Sequence, residues 1–289
     1  METAMSKKVI ISADSTVDLS AELKERYNVS YFPFHIIFEG KDYLDNVTIT
    51  PPEIFSAYHE RKSLPKTTAI NIDEYIKYFS QWNADEYDVI HINLSSALSS
   101  SHQNARIAAE TLGNVYPIDS LNLSTGSGHL VIEAAKLAAE GYSAPEIAER
   151  IKAMIPCVHA SFILDNLEFM RAGGRCSSIT AFSATLLRLK PCIEVSNTTG
   201  SMRVGKKYQG DLGNVLVKYT KDQLNAYPDI ITDKIFITHS GIDQKYIDMV
   251  HKAINDTMHF DNIYISTASC TISSHCGPNT LGVLFMTKS

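Results

Sequence analysis

Val89-Ile90-His91-Ile92 runs straight into Leu94-Ser95-Ser96-Ala97-Leu98-Ser99-Ser100-Ser101, and then into Gln103, Ala105, Ile107, Ala108 and Leu112. The apolar run has the length of a buried strand, and the spacing after it is that of a helix. Strand, short loop and helix in this order are the building unit of a parallel α/β sheet. The loop falls at the carboxyl end of its strand, where open α/β sheets bind their ligands. Its serines serve either as helix caps or, with the N–H groups of the helix start, as donors to an anion. The loop lacks the glycines and the lysine of a phosphate loop. A carboxylate-sized head group therefore fits it better than a nucleoside triphosphate.

The same alternation runs through the first half of the chain. Val9-Ile10-Ile11-Ser12-Ala13 reads as a strand, followed by a helix bearing Leu19, Leu23 and Tyr27. Residues 29–38 form a second extended stretch interrupted by Pro33. A helix around Ile54, Phe55 and Tyr58, a loop at 63–68 and a helix with Tyr75, Ile76, Tyr78 and Phe79 precede the strand at Val89. Val115-Tyr116-Pro117-Ile118 is a further strand, Leu130, Ala134 and Leu137 mark a long helix, and Ser143 with Glu146 forms a capping-box pattern. The character changes near residue 160. Segments 190–195 and 203–207 flank Ser196-Asn197-Thr198-Thr199-Gly200 as a hairpin. Strands at 235–238, 263–267 and 283–286 alternate with helices at 211–225 and 243–257. The expected fold is α/β with two domains. Residues 1–160 carry a mainly parallel sheet with flanking helices, and residues 161–289 carry a mixed or antiparallel sheet. Phe162-Ile163-Leu164 and Leu186-Leu187 read as core.

Composition closes several other routes. With 44% apolar and 20% charged residues over 289 positions, the chain is globular rather than disordered. A net charge of -6 and the lack of any Lys/Arg block argue against a nucleic-acid partner. No apolar run is long enough to span a membrane, and residues 1–6 resemble no targeting segment. Five cysteines without a CxxC pair suit reduced thiols, and hence the cytoplasm, better than a disulfide framework. There is no HExxH, GxSxG or metal-ligand cluster.

Hydroxyl-rich segments recur. Asp14-Ser15-Thr16, Thr67-Thr68, 95–101 and Asp119-Ser120 each follow an apolar run or precede a helix, and a parallel sheet would gather several of them along one edge. The second half adds Gly173-Gly174-Arg175-Cys176-Ser177, where paired glycines permit a tight turn and leave a guanidinium projecting. It also adds His275, beside Gly277-Pro278 and among Thr271, Ser273, Ser274 and Thr280. Such a histidine is either a satisfied structural residue or a donor to a bound anion.

These pieces in this order resemble the DegV family of bacterial fatty-acid-binding proteins. The matching landmarks are Asp14-Ser15-Thr16, Pro33, Tyr43-Leu44-Asp45, Pro65-Lys66-Thr67-Thr68, Leu98-Ser99-Ser100-Ser101, Asp119-Ser120, Gly173-Gly174-Arg175, Lys190-Pro191 and His275-Cys276-Gly277-Pro278. The resemblance implies a two-domain protein enclosing one long-chain fatty acid between its domains, with no further cofactor and no metal. It implies a lipid-binding subunit rather than an enzyme, one that presents the acyl carboxylate to a separate fatty acid kinase. That kinase forms an acyl phosphate for phospholipid synthesis. Carried over, Thr67 and Ser99 hydrogen-bond the carboxylate and His275 lies near the same head group. Thr68, Ser96 and Ser100 join the ligand-binding set, while Arg175 with Gly174 stands at the pocket mouth for docking of the kinase or handling of phosphate. The chain departs from the family pattern at Thr68-Ala69-Ile70, Ser100-Ser101-His102 and Cys276-Gly277-Pro278-Asn279. The alternative from a different class is a hydrolase of acyl esters or thioesters, with Ser99 as nucleophile and His275 as base.

Overall fold

The computed structural model describes residues 7–181 and 189–288; Leu186 and Leu187 lie outside them. Strand β1 (Lys8–Asp14) leads into α1 (Ala21–Arg26), and β2 (Val29–Phe32) returns parallel to β1. The stretch 29–38 is two strands in two sheets, not one. Pro33 has no N–H with which to continue the ladder. Beyond it β3 (His35–Phe38) pairs antiparallel with β4 (Lys41–Leu44) and, past α2 (Pro51–Arg61), with β5 (Lys66–Thr68). The loop expected at 63–68 therefore ends in an edge strand of a three-stranded antiparallel sheet. That sheet is absent from the sequence reading.

The chain then rejoins the first sheet through α3 (Ile72–Phe79), β6 (Tyr87–Asn93), α4 (Ser101–Leu112) and β7 (Val115–Asp119). The four-stranded sheet is fully parallel in the order β2-β1-β6-β7. Its strand order reverses between β1 and β6, so a crevice opens at their carboxyl ends. Two helices follow, α5 (Ser124–Ala139) and α6 (Ala144–Met154). The expected capping box is present: Glu146 Oε2 accepts from the Ser143 N–H at 2.9 Å and from its hydroxyl at 2.6 Å.

The rest of the chain builds a six-stranded mixed sheet. Its elements are β8 (Val158–Ile163), α7 (Glu168–Gly173), β9 (Leu189–Val195), β10 (Met202–Gln209), α8 (Leu212–Ala226) and β11 (Ile235–Ser240), then α9 (Gln244–Thr257), β12 (Ile263–Thr267), α10 (Cys270–Cys276) and β13 (Thr280–Met286). The order is β10-β9-β8-β13-β11-β12, antiparallel except for β11 with β12. Strand β13, late in sequence, is thus central in the sheet and buried along its whole length.

Helix α5 is buried on nearly every side because it lies between the two larger sheets, against β1 and β6 on one and β8, β11 and β13 on the other. A Cβ at Gly128 would come within 2.8 Å of Leu19 and 2.9 Å of the Val17 carbonyl, so glycine there sets how closely the helix approaches the first sheet. The main apolar cluster is continuous across this layer, from Ile90 and Ile92 through Val131 to Phe236 and Leu284. Among the described residues no helix is long and apolar enough to cross a membrane.

Candidate functional site

The carboxyl edge of the parallel sheet is dominated by Asp14, which is completely buried. Its Oδ1 accepts from the Tyr75 hydroxyl at 2.8 Å and lies 3.1 Å from His91 Nε2. Its Oδ2 accepts from the Leu94 N–H at 2.9 Å and from Asn93 Nδ2 at 3.3 Å. His91 Nδ1 in turn lies 2.9 Å from Ser12 Oγ, which meets Tyr78 at 2.8 Å. The network fixes the turn that leaves β6, and each of its members is already partnered.

From that turn the hydroxyl loop enters a cavity of about 430 Å³. Thr67 and Thr68 (β5), Ser99 and Ser100 (the loop before α4), Arg175 (after α7) and His275 (α10) all line it, together with apolar Phe34, Leu94, Leu98, Leu123, Met202 and Ile272. Elements from the three sheets converge there. Ser96 and Gly174 lie outside this wall: the Ser96 N–H is held by Asp119 Oδ1 at 3.1 Å, and Gly174 makes the left-handed turn at the end of α7 with φ 67°.

The two polar ends of the wall are tied differently. Thr67 Oγ1 lies 2.9 Å from His275 Nε2, a bond between residues 208 apart in sequence. Ser99 Oγ accepts the Ser101 N–H at 3.2 Å and lies 3.0 Å from Ser101 Oγ. Ser101 Oγ also accepts the Ile70 N–H at 3.2 Å, joining the serine loop to the chain just after β5. Ser99 and His275 thus have different partners, so the nucleophile–base pair that a hydrolase needs is not formed. Arg175 is exposed and donates from Nη1 to the Gly173 carbonyl at 2.5 Å.

His275 Nδ1 is buried without a partner. Burial, and then the nearby Arg175 charge, pull the imidazole from its ordinary 6.5 down to about 4, so the ring is neutral at physiological pH. The ring is held by a glycine. A Cβ built on Gly173 would sit 2.0 Å from His275 Nδ1. Of the paired glycines, Gly174 serves the turn, whereas Gly173 serves close approach. The sequence reading assigned both to the turn. It gives no role to Phe34, Leu123 and Met202, which carry no polar signature, and names Thr271 only as a neighbour of His275.

Behind the cavity lies a second, very small one of about 20 Å³, and the two share Leu123, Ile272 and Cys276. Its wall contains several hydroxyls, yet each already has a protein partner. Ser124 donates to Asp18 at 2.5 Å, Thr125 and Thr238 lie 2.6 Å apart, Ser240 donates to Ser273 at 2.9 Å, and Thr280 donates to the Cys276 carbonyl at 2.9 Å. The rest of the wall is apolar, with Phe162 and Leu284, apart from His239, whose Nδ1 is buried without a partner. Among the described residues no group of three His, Cys, Asp or Glu side chains could hold a metal ion.

A family model described as "Uncharacterised protein, DegV family" matches residues 8–288. The chain belongs to the DegV family. A DegV domain-containing protein of Caldanaerobacter subterraneus is 28% identical over 286 residues, covering 98% of this chain and all of the relative. A DegV family protein from Thermus thermophilus, described by its fatty-acid binding, superimposes with a TM-score of 0.87 at 25% identity, over 97% of this chain and 100% of that one. DegV of Bacillus subtilis, described as a fatty acid binding protein, gives a TM-score of 0.82 at 24% identity over 98% and 100%. The α/β class expected from the sequence is thus that of solved DegV structures.

Proposed function

We propose that this DegV protein binds one long-chain fatty acid, with its carboxylate at Thr67, Ser99 and His275 and its tail running past Leu123, Ile272 and Cys276 into the inner apolar space. The observation that carries the reading is the contrast along a single path. Hydroxyls and a neutral imidazole stand at the outer end, while at the inner end the hydroxyls of Ser124, Thr238, Ser240 and Thr280 are each engaged by a protein partner. The fatty-acid binding described for the Thermus thermophilus relative supports the same reading. In this reading the chain divides near residue 160, and the ligand lies between the two parts.

The energetics follow from the ligand's composition. At about 0.8 kcal/mol per buried CH₂, a tail of roughly fifteen methylenes offers on the order of 12 kcal/mol before binding costs. The tail supplies affinity. The head group must only avoid the several kcal/mol that an unpaired buried carboxylate costs. With neutral His275 donating from Nε2 to Thr67 Oγ1, the Thr67 proton is free for a carboxylate oxygen. Ser99, which accepts the Ser101 N–H, can donate its own proton in the same direction.

Neutral donors hold a carboxylate without quenching its nucleophilicity, as a bidentate guanidinium would. We therefore read the protein as a lipid-binding subunit, not itself an enzyme, that presents the acyl carboxylate to a separate fatty acid kinase, with Arg175 at the mouth for the kinase or the transferred phosphate. Its five unpaired thiols fit a cytoplasmic setting. Mass spectrometry of the purified protein, native and then denatured, tests the binding reading. A mass difference of one long-chain fatty acid supports it, and a protein that neither carries nor takes up such an acid overturns it. Acyl phosphate that forms equally well without this protein, when kinase and fatty acid are mixed, would remove the presentation step.

A further inference from the structure

Asp45 follows β4 and does not line the cavity, yet its bonds reach two parts of the cavity wall. Its N–H donates to the Phe34 carbonyl at 2.9 Å. Its Oδ1 accepts the Cys270 N–H at 2.7 Å, and its Oδ2 accepts the Thr271 hydroxyl at 2.7 Å, the Thr271 N–H at 3.4 Å and the Ser15 hydroxyl at 2.8 Å. Ser15 Oγ accepts the Phe34 N–H at 3.1 Å. Phe34 and Thr271 are both wall residues. Asp45 is almost fully buried, and these donors are what it has in place of water.

Helix α10 has seven residues, too few to hold its own direction in isolation. Its first-turn N–H groups need partners, and the segment 225 residues upstream provides them. Cys270 and Thr271 use Asp45, while Ile272 uses Ser269 Oγ at 3.4 Å. A second carboxylate from the first half, Asp18, accepts the preceding Ser269 N–H at 2.9 Å. At the other end of the same helix is His275. At 1.5 Å per residue, the five residues from Cys270 to His275 make a lever of about 7.5 Å, so a tilt of about 10° moves the ring by about 1 Å. A displacement of that size is enough to spoil a binding constellation.

We infer that Asp45 is a positioning residue of the head-group site: it orients α10, and so sets His275 against Gly173 and Thr67, while Ser15 relays the same carboxylate to Phe34. The inference rests on the fatty-acid reading for its consequence, but not for its geometry.

The test uses full-length Asp45→Ala, Asp45→Asn and Ser15→Ala, with Tyr219→Phe as a control that removes buried bonds to Ser161 and Val283, residues that line neither the cavity nor the inner space. Affinity is read with a fluorescent long-chain fatty acid, and the His275 ring by NMR titration without lipid. Asp45→Ala should bind about tenfold more weakly, with His275 titrating well above its wild-type value. Asp45→Asn should fall in between, and Tyr219→Phe should lower the melting temperature without either change. If Asp45→Ala does not fold, Ser15→Ala carries the same expectation at a smaller size. Wild-type affinity and an unmoved His275 titration in these variants would overturn the inference and leave Asp45 as a fold-holding residue only. If the wild-type protein takes up no fatty acid, the binding reading fails separately, and the His275 titration still decides the role of Asp45.

Discussion

Two polar clusters of similar composition stand a few residues apart, and they do opposite things. Asp14, His91, Ser12, Tyr75 and Asn93 form a closed circuit at the end of the parallel sheet: an acid, an imidazole and hydroxyls, all buried, each bonded to another. Thr67, His275 and Ser99 line an open cavity, where the Thr67 and Ser99 hydroxyls retain capacity for a ligand, while the unpartnered Nδ1 of His275 is turned against Gly173. Judged by residue type, the first cluster looks more like a catalytic centre. Judged by spare hydrogen-bonding capacity, only the second can receive a ligand. A buried Asp–His contact is therefore no sign of chemistry when every lone pair and proton in it is already engaged.

That contrast can be broken by substitution. The largest effect belongs to the closed circuit. Asp14→Ala strips partners from the Tyr75 hydroxyl, the Leu94 N–H and Asn93, and should cost roughly 3 kcal/mol or more of stability in urea denaturation. Whatever fraction folds should retain its fatty acid. Next, Thr67→Ala combined with Ser99→Ala should lower fatty-acid affinity by about tenfold or more, with under about 1.5 kcal/mol lost in stability, since both residues are only half-buried. Loss of stability without loss of affinity would reverse the roles assigned to the two clusters.

A pH dependence sharpens the same point. The His275 pKa is about 4 in the folded protein against 6.5 when free. Because the folded value is depressed, the unfolded chain binds the proton more readily. The contribution to stability is fully present above pH 6.5 and is lost as pH falls toward 4. NMR titration of the ring should place its midpoint near 4, and a midpoint near 6.5 would contradict the buried, Gly173-seated geometry. The smallest effect is expected at the rim. Arg175→Ala should leave fatty-acid affinity within about twofold, because the guanidinium bonds to the Gly173 carbonyl rather than closing the site. On the presentation reading, acyl phosphate formation with a separate kinase should fall.

The sequence made one half of this picture legible and hid the other for a physical reason. Strands β1, β6 and β7 announce themselves because parallel strands buried on both faces are continuous apolar runs. The β9–β10 hairpin and the cap of α6 are local signals, and both were readable. Strand β5 is Lys66-Thr67-Thr68, three polar residues with no alternation, and it exists only because β3 offers it a partner. The break at Pro33 was visible, but not that the chain changes sheets there. Helix α10, with Cys270, Thr271, Ser273 and Ser274, has no amphipathic stripe and draws its stability from Asp45 and Asp18. The residue-type pattern that resembled DegV proteins named Thr67, Ser99 and His275. It did not give the pairing of Thr67 with His275, the seat made by Gly173, or the apolar wall, all of which depend on contacts between distant segments.

The central place of β13 carries a consequence for the order of events at the ribosome. All four strands of the parallel sheet are available once residue 119 has emerged, so that sheet can form early. The six-stranded sheet cannot close until residues 280–286 slot between β8 and β11, and His275, the partner of Thr67, emerges only shortly before them. A nascent chain therefore has its fixed polar circuit long before it has a place for a carboxylate. On the fatty-acid reading, acyl cargo is taken up only once this sheet has closed, and a chain cut before β13 should emerge lipid-free.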